Sequence, residues 1–234
     1  MEDETISEVA RAETPRGELV LRRRSREGAP AVLELRANGV FVMDTLETGS
    51  EIEMASLALD LVPDPRAVVV GGLGLGFTAQ RVLADPRVER VRVVEIDEPL
   101  IGWMRDGTIP HGPALLADRR LEVLNADISM AVAEARSTYD LMLLDVDNGP
   151  GYLVHESNAE LYQPEFLQRC RALLDPDGVL VVWSAARAPV LLQHIEQVFG
   201  EAAEIRYDVL LQDRPEQYFL YSARAGRAGP DQHA

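Results

Sequence analysis

The sequence predicts an α/β protein: a Rossmann-like, doubly wound, mostly parallel sheet with a terminal antiparallel hairpin, preceded by a small N-terminal β-domain. Three observations predict it. From residue 66 onward, apolar runs of strand length alternate with helical patterns, the order that builds a parallel sheet. The first of these runs empties into a loop carrying Gly71, Gly72, Gly74 and Gly76. Ahead of it, Asn38-Gly39 lies between two strand-like runs, the strongest short signal for a hairpin.

Residues 1–16 are polar and charged, the pattern of a mobile tail. Residues 18–24 and 31–36 alternate toward strand, and Asn38-Gly39 turns the chain into Val40-Phe-Val-Met43. Ser50-Glu-Ile-Glu53 has the form of a capping box opening a helix to about Leu61. Residues 17–62 thus make the small β-unit and its linking helix. Pro63-Asp-Pro65 separates it from a larger unit, residues 63–224. There, strands are predicted near 66–71, 90–96, 121–125, 139–145 and 178–184, and helices near 76–84, 98–105, 128–136, 163–174 and 188–199. Asp175-Pro-Asp-Gly178 has turn chemistry. Residues 203–211 and 217–222 bracket Gln212-Asp-Arg-Pro-Glu216 as the terminal hairpin, and 225–234 form a second polar tail.

The 234 residues carry a formal charge of −16, which argues against nucleic acid as a partner. No apolar run approaches the roughly 20 residues that cross a bilayer, and the acidic start is neither a secretory signal nor a basic transit peptide. A cytoplasmic protein without a membrane partner is expected. Every basic side chain apart from histidine is arginine. The lack of lysine removes a Schiff-base lysine and the lysine of a phosphate-binding P-loop. Cys170 is the only cysteine and the histidines are scattered, so no metal site is expected and Cys170 reads as a buried thiol.

The chemistry concentrates at strand ends. A glycine loop lets backbone approach a ligand closely at the carboxyl edge of a parallel sheet. Its spacing, Gly72-x-Gly74-x-Gly76, departs from the dinucleotide form G-x-G-x-x-G and has the form common among S-adenosylmethionine enzymes. Glu95 and Asp97 end the next strand, where a carboxylate can accept from ribose hydroxyls. Asp127 ends the third, placed for an adenine amino group or for capping the following helix. Asp145 ends the fourth and points at the same crevice. The glycine-rich loop Asn148–His155 beside it is expected to line an acceptor site through Asn148, Tyr152 and His155. Trp103 is placed either to flank an adenine or to pack on the sheet, and Trp183 reads as core.

On these residues the chain resembles the spermidine synthase (polyamine aminopropyltransferase) superfamily of class I methyltransferase-like folds. The resemblance runs over roughly residues 18–223. It is carried by Asn38-Gly-Val-Phe-Val-Met-Asp44, Val68-Val-Val-Gly-Gly-Leu-Gly-Leu-Gly76, Val94-Glu-Ile-Asp97, Asp127, Leu143-Leu-Asp145, Tyr162-Gln-Pro-Glu-Phe-Leu167 and Leu174-Asp-Pro-Asp-Gly-Val-Leu180. It implies a homodimer, an S-adenosylmethionine or decarboxylated S-adenosylmethionine co-substrate, and a small acceptor such as a cationic amine.

Three departures shape the expected reaction. Family members carry an acid in the glycine loop that holds the donor's amine; here Gly74 stands in that place. They carry D-x-x-D after the fourth strand; here Asp145 is kept and Asn148 takes the second position, with Asp147 one residue away as a substitute acid. Their Tyr-His-Glu near the domain junction has no clear counterpart, Ile52-Glu-Met-Ala55 being the nearest text. Because intact S-adenosylmethionine brings a carboxylate that an acid at position 74 would repel, methyl transfer to a small acceptor is the expected reaction, with Asp145 as base. Aminopropyl transfer making a polyamine is the alternative, and a non-catalytic nucleoside-binding or assembly protein the third reading.

Overall fold

The computed structural model describes residues 4–211 and 214–226. Two sheets organise them. The first is antiparallel, in the order β1 (Thr5–Thr14), β2 (Gly17–Ser25), β3 (Val32–Ala37) and β4 (Val40–Asp44). Asn38 and Gly39, at φ 51° and 76°, make the expected tight turn between β3 and β4. Residues 5–14, placed in a tail by their polarity, instead pair along their length with β2. Their charges meet partners there: Glu8 and Glu18 both hold Arg11. Of the two expected tails, residues 1–3 and 227–234 lie outside the described residues.

Helix α1 (Gly49–Leu61) leads to the second sheet. Ser50 does not cap it; its hydroxyl turns inward and donates to Glu51 at 2.7 Å. The large sheet contains β5 (Ala67–Gly71), β6 (Arg90–Glu95), β7 (Leu121–Asn125), β8 (Tyr139–Leu144) and β9 (Leu174–Ser184), all parallel. Strands β10 (Ala203–Leu211) and β11 (Arg214–Arg224) add the antiparallel hairpin, giving the order β10-β11-β9-β8-β5-β6-β7. Positions 212 and 213 of its turn lie outside the described residues. The turn expected at 175–178 is an excursion inside β9: Tyr139 pairs Leu174 and Leu141 pairs Val179, with Asp177 at φ 74°.

The helices are α2 (Phe77–Leu83), α3 (Glu98–Asp106), α4 (Gly112–Leu116), α5 (Ile128–Glu134), α6 (Pro164–Ala172) and α7 (Pro189–Phe199), with a 3₁₀ segment at Glu156–Tyr162. Two apolar layers bury the sheet's faces. One joins β5, β6 and α1 to the small sheet and includes Trp103; the other joins α5, α6 and α7 and includes Cys170. Among the described residues no helix is long and apolar enough to cross a membrane.

Candidate active site between the two sheets

The carboxyl ends of β5–β9 and the inner face of the small sheet enclose a cavity of about 170 Å³. This is where an open α/β sheet takes its ligands, because strand order reverses there. The cavity runs along the sheet edge from the β6 and β7 ends, at Asp97 and Asp127, past Asp145 to Trp183 and Tyr218.

The glycine loop forms its floor. Gly72 and Gly74 line the cavity, whereas Gly71 backs onto Ile128 and Leu144, and Gly76 starts α2 against Leu115 and Met104. At Gly74 φ is 51°, and an added Cβ would come 2.6 Å from the sulfur of Met43 on β4. That sulfur accepts from the Leu75 N–H at 3.1 Å. The space beside Gly74 is therefore filled by a thioether from the other sheet.

The paired acids after β6 divide their work. Glu95 is buried, and its two oxygens accept from the backbone N–H groups of Leu73 at 2.9 Å and Asp97 at 2.8 Å. It ties the glycine loop to β6. Burial nevertheless pushes its carboxyl up. Asp97 makes no side-chain hydrogen bond among the described residues and faces the cavity, its carboxyl raised by burial and lowered by Arg16 and His155 nearby. Asp127 caps α5, accepting from Ser129 N–H at 2.7 Å, and also reaches the cavity wall.

Asp145 is half-buried, with Oδ2 accepting from the Thr78 hydroxyl at 2.7 Å. Burial pushes its carboxyl up to about 6. Sharing its end of the cavity is Glu51 of α1, which burial and then the charge of Asp145 push up to about 7. Sequence reasoning took Glu51 as part of a capping box. The missed signal is its spacing: Glu51 heads the stripe Met54, Ala55 and Ala58 that α1 buries, so a carboxylate there goes inside. Glu47, Trp183 and Tyr218 complete this end. Trp183 is no plain core residue: it lines the cavity, its ring centroid 4.9 Å from that of Tyr218, and its indole N–H is buried without a hydrogen-bond partner among the described residues.

The loop after β8 differs from its expected role at two positions. Asp147, taken as a substitute acid, sits at φ 60° with both oxygens engaged: Oδ1 accepts from the N–H groups of Asn148 and Val154 at 2.7 Å, and Oδ2 from His155 N–H at 3.2 Å and Asn158 Nδ2 at 2.7 Å. It organises the loop and, although it lines the cavity, its oxygens already accept from these four donors. Tyr152 is 66% exposed and lies outside the cavity lining. Asn148 and His155 do line it. Burial, followed by Arg16, lowers the His155 imidazole. Arg16, from the turn between β1 and β2, crosses to the loop and donates to Asn158 Oδ1 at 3.2 Å. Nothing in the sequence around Arg16 marks it, because the contact spans 142 positions. Among the described residues no group of histidine, cysteine, aspartate or glutamate is arranged to hold a metal.

A family model for the spermine/spermidine synthase domain matches residues 49–205. The chain belongs to this family. Curated relatives include the polyamine aminopropyltransferase of Nitrosomonas europaea, 31% identical over 143 residues, which are 58% of this chain and 42% of the relative. The polyamine aminopropyltransferase of Saccharolobus solfataricus is 25% identical over 159 residues, 65% of this chain and 52% of the relative. The chain thus spans about half the length of the curated relatives it matches. Among solved structures, a spermidine synthase in complex with the transition state analogue AdoDATO superposes with a TM-score of 0.78 at 19% identity, covering 94% of this chain and 74% of the other. The spermidine synthase from Thermotoga maritima gives a TM-score of 0.73, also at 19% identity, covering 94% and 73%. At such identity these structures establish the shared fold.

These relatives overturn the expectation of methyl transfer: the curated proteins matched are polyamine aminopropyltransferases. The physical reason lies at Gly74. Its lack of a side chain does not open a place for a donor carboxylate, because Met43 covers it.

Proposed function

We propose that this protein is an aminopropyltransferase, moving the aminopropyl group of decarboxylated S-adenosylmethionine to a small amine. The observation that carries this reading is the pair Glu51 and Asp145: one buried and one half-buried carboxylate line one end of the cavity, and no arginine acts on either among the described residues. Buried carboxylates without a cation favour a cationic ligand. The family and its curated relatives support the same reaction.

In this reading the nucleoside lies along the β6 and β7 ends. Asp97 accepts from the ribose hydroxyls, Asp127 from the adenine amino group, and Gly72 and Gly74 let the loop backbone approach; Glu95 holds that loop in place. The amine lies at the other end beside Asp145, with Asn148 and His155 along the loop wall. Once deprotonated, the amine nitrogen attacks the methylene carbon next to the sulfonium. The carbon–sulfur bond breaks with its electron pair going to sulfur, and neutral methylthioadenosine leaves. The family likeness extends the reading to a cytoplasmic homodimer.

Incubation with decarboxylated S-adenosylmethionine and putrescine tests it. Stoichiometric methylthioadenosine and spermidine, read by mass spectrometry, are expected. Absence of both products with putrescine, 1,3-diaminopropane and cadaverine alike would rule the reading out.

A further inference from the structure

Glu51 and Asp145 reach the same cavity from different parts of the fold, α1 and the end of β8. The groups around Glu51 are nearly all acidic or neutral. Asp145 and Glu47 act on it as like charges, and its Oε2 accepts from the Ser50 hydroxyl at 2.7 Å. From β11 comes the phenol of Tyr218, pushed up to about 12 by burial and by Glu51 itself. From β9 comes Trp183, whose N–H has no partner among the described residues. From β10 comes Tyr207, which senses Glu53 instead. From α2 comes Arg81, whose Nε donates to Ser56 at 3.0 Å, more than one helical turn beyond Glu51.

Two carboxylates that line one cavity and feel each other's charge, one of them buried, cannot both ionise cheaply, so the pair retains a proton. Each accepts from one hydroxyl at 2.7 Å, so burial decides between them: Glu51 is buried and Asp145 half-buried, which leaves the proton on Glu51. An ammonium entering between them reverses the balance. It stabilises both negative charges and drives that proton to solvent. Glu51 is then an ionised base beside the amine.

We infer that Glu51 is a second catalytic residue of this site, holding the acceptor amine jointly with Asp145 and taking the amine's proton. This rests on the aminopropyltransferase reading above. The ammonium N–H bond breaks, its electron pair stays on nitrogen as the nucleophilic lone pair, and the proton joins a Glu51 oxygen. Nitrogen then attacks the donor carbon while sulfur leaves with the carbon–sulfur pair. The alkylated nitrogen remains a secondary ammonium, and Glu51 passes the one proton it took to solvent.

Glu51→Gln tests the role, with pH–rate profiles and with calorimetry of putrescine binding near pH 7 in buffers of different ionisation enthalpy. The variant is expected to lose kcat by about 10²–10³-fold with KM changed far less, and to lose the acid limb of the profile. Glu51→Asp is expected to keep that limb at a lower kcat. Wild-type protein is expected to release roughly one proton on binding putrescine, and Glu51→Gln none. Unchanged methylthioadenosine binding shows that the variant is folded; if it is not, the Glu51→Asp profile decides. Retention of the acid limb and near-normal kcat in Glu51→Gln would overturn the inference and leave the transferase reading standing. No turnover by wild-type protein removes the transferase reading and the catalytic role together. In that event, proton release confined to the wild type supports Glu51 as an amine partner, and its absence overturns that too.

Discussion

The sulfur of Met43, on β4 of the small sheet, accepts a hydrogen bond from the backbone N–H of Leu75 at 3.1 Å and lies over Gly74. One contact thereby joins the small sheet to the glycine loop at the position where the family resemblance leads one to expect an acid. Position 74 has φ 51°, so any side chain there costs about 1–2 kcal/mol in backbone strain. Gly74→Asp is expected to lower stability by that amount and to push Met43 aside. In a Met43→Ala background the same substitution has room, and the new carboxylate faces the donor's ammonium. Affinity for decarboxylated S-adenosylmethionine should then rise about tenfold over Met43→Ala alone, by isothermal calorimetry. Equal affinities would remove Met43 as the group that occupies the acid's place.

The acidic pair also sets how stability varies with pH. Glu51 stands at about 7 and Asp145 at about 6 in the folded protein, above their ordinary values of 4.5 and 3.8. The native state therefore binds more protons than the unfolded chain between about pH 4 and 7, so this part of the stability is lost as pH rises through that window. Glu51→Gln removes much of the dependence. It is expected to be more stable than wild type at pH 8, by on the order of 2 kcal/mol, and little different at pH 4.5. Urea denaturation at the two pH values measures this.

Asp147→Ala is expected to unfasten the loop rather than to remove a base. Four donors between Asn148 and Asn158 lose their acceptor, at a cost of about 1–3 kcal/mol locally. Hydrogen exchange across 148–158 should accelerate at least tenfold, with KM for the amine rising more than kcat falls. Unchanged exchange in this loop would contradict the assignment.

Arg24 lies 2.6 Å from Asp44 and 3.2 Å from Glu34, both buried within the small sheet. Arg24→Ala leaves the buried Asp44 without its cation, while Glu34 keeps Arg36 at 2.8 Å, and a loss of about 3 kcal/mol is expected in thermal or urea unfolding. Replacing Arg66, whose partners Asp64 and Glu89 are exposed, should cost less than about 1 kcal/mol.

The sequence made the large sheet legible because strand and helix periods alternate cleanly, and because glycines and acids recur at strand ends. Asp145, Asp97 and the glycine loop follow from that pattern. What escaped reading depends on contacts across long stretches of chain. Arg16 meets Asn158, and Met43 meets Leu75, through tertiary approach alone. The loop-fastening contacts of Asp147 are invisible in spacing because a left-handed backbone turns its carboxylate back onto its own loop. Glu51 was hidden by a local motif that fits a cap, although the apolar stripe behind it says that the face is buried. Trp183 was judged from strand burial, which is right for its ring but overlooks the open strand end.

Asn38 links two of these features. Its side chain accepts from Glu18 N–H at 2.9 Å and donates to the Arg16 carbonyl at 3.1 Å, fixing the turn from which Arg16 reaches Asn158. The hairpin residue that looked purely architectural is thus one covalent neighbourhood away from the mouth of the cavity. Arg16 itself lines the cavity, so the turn that Asn38 pins sets where one wall of the site starts.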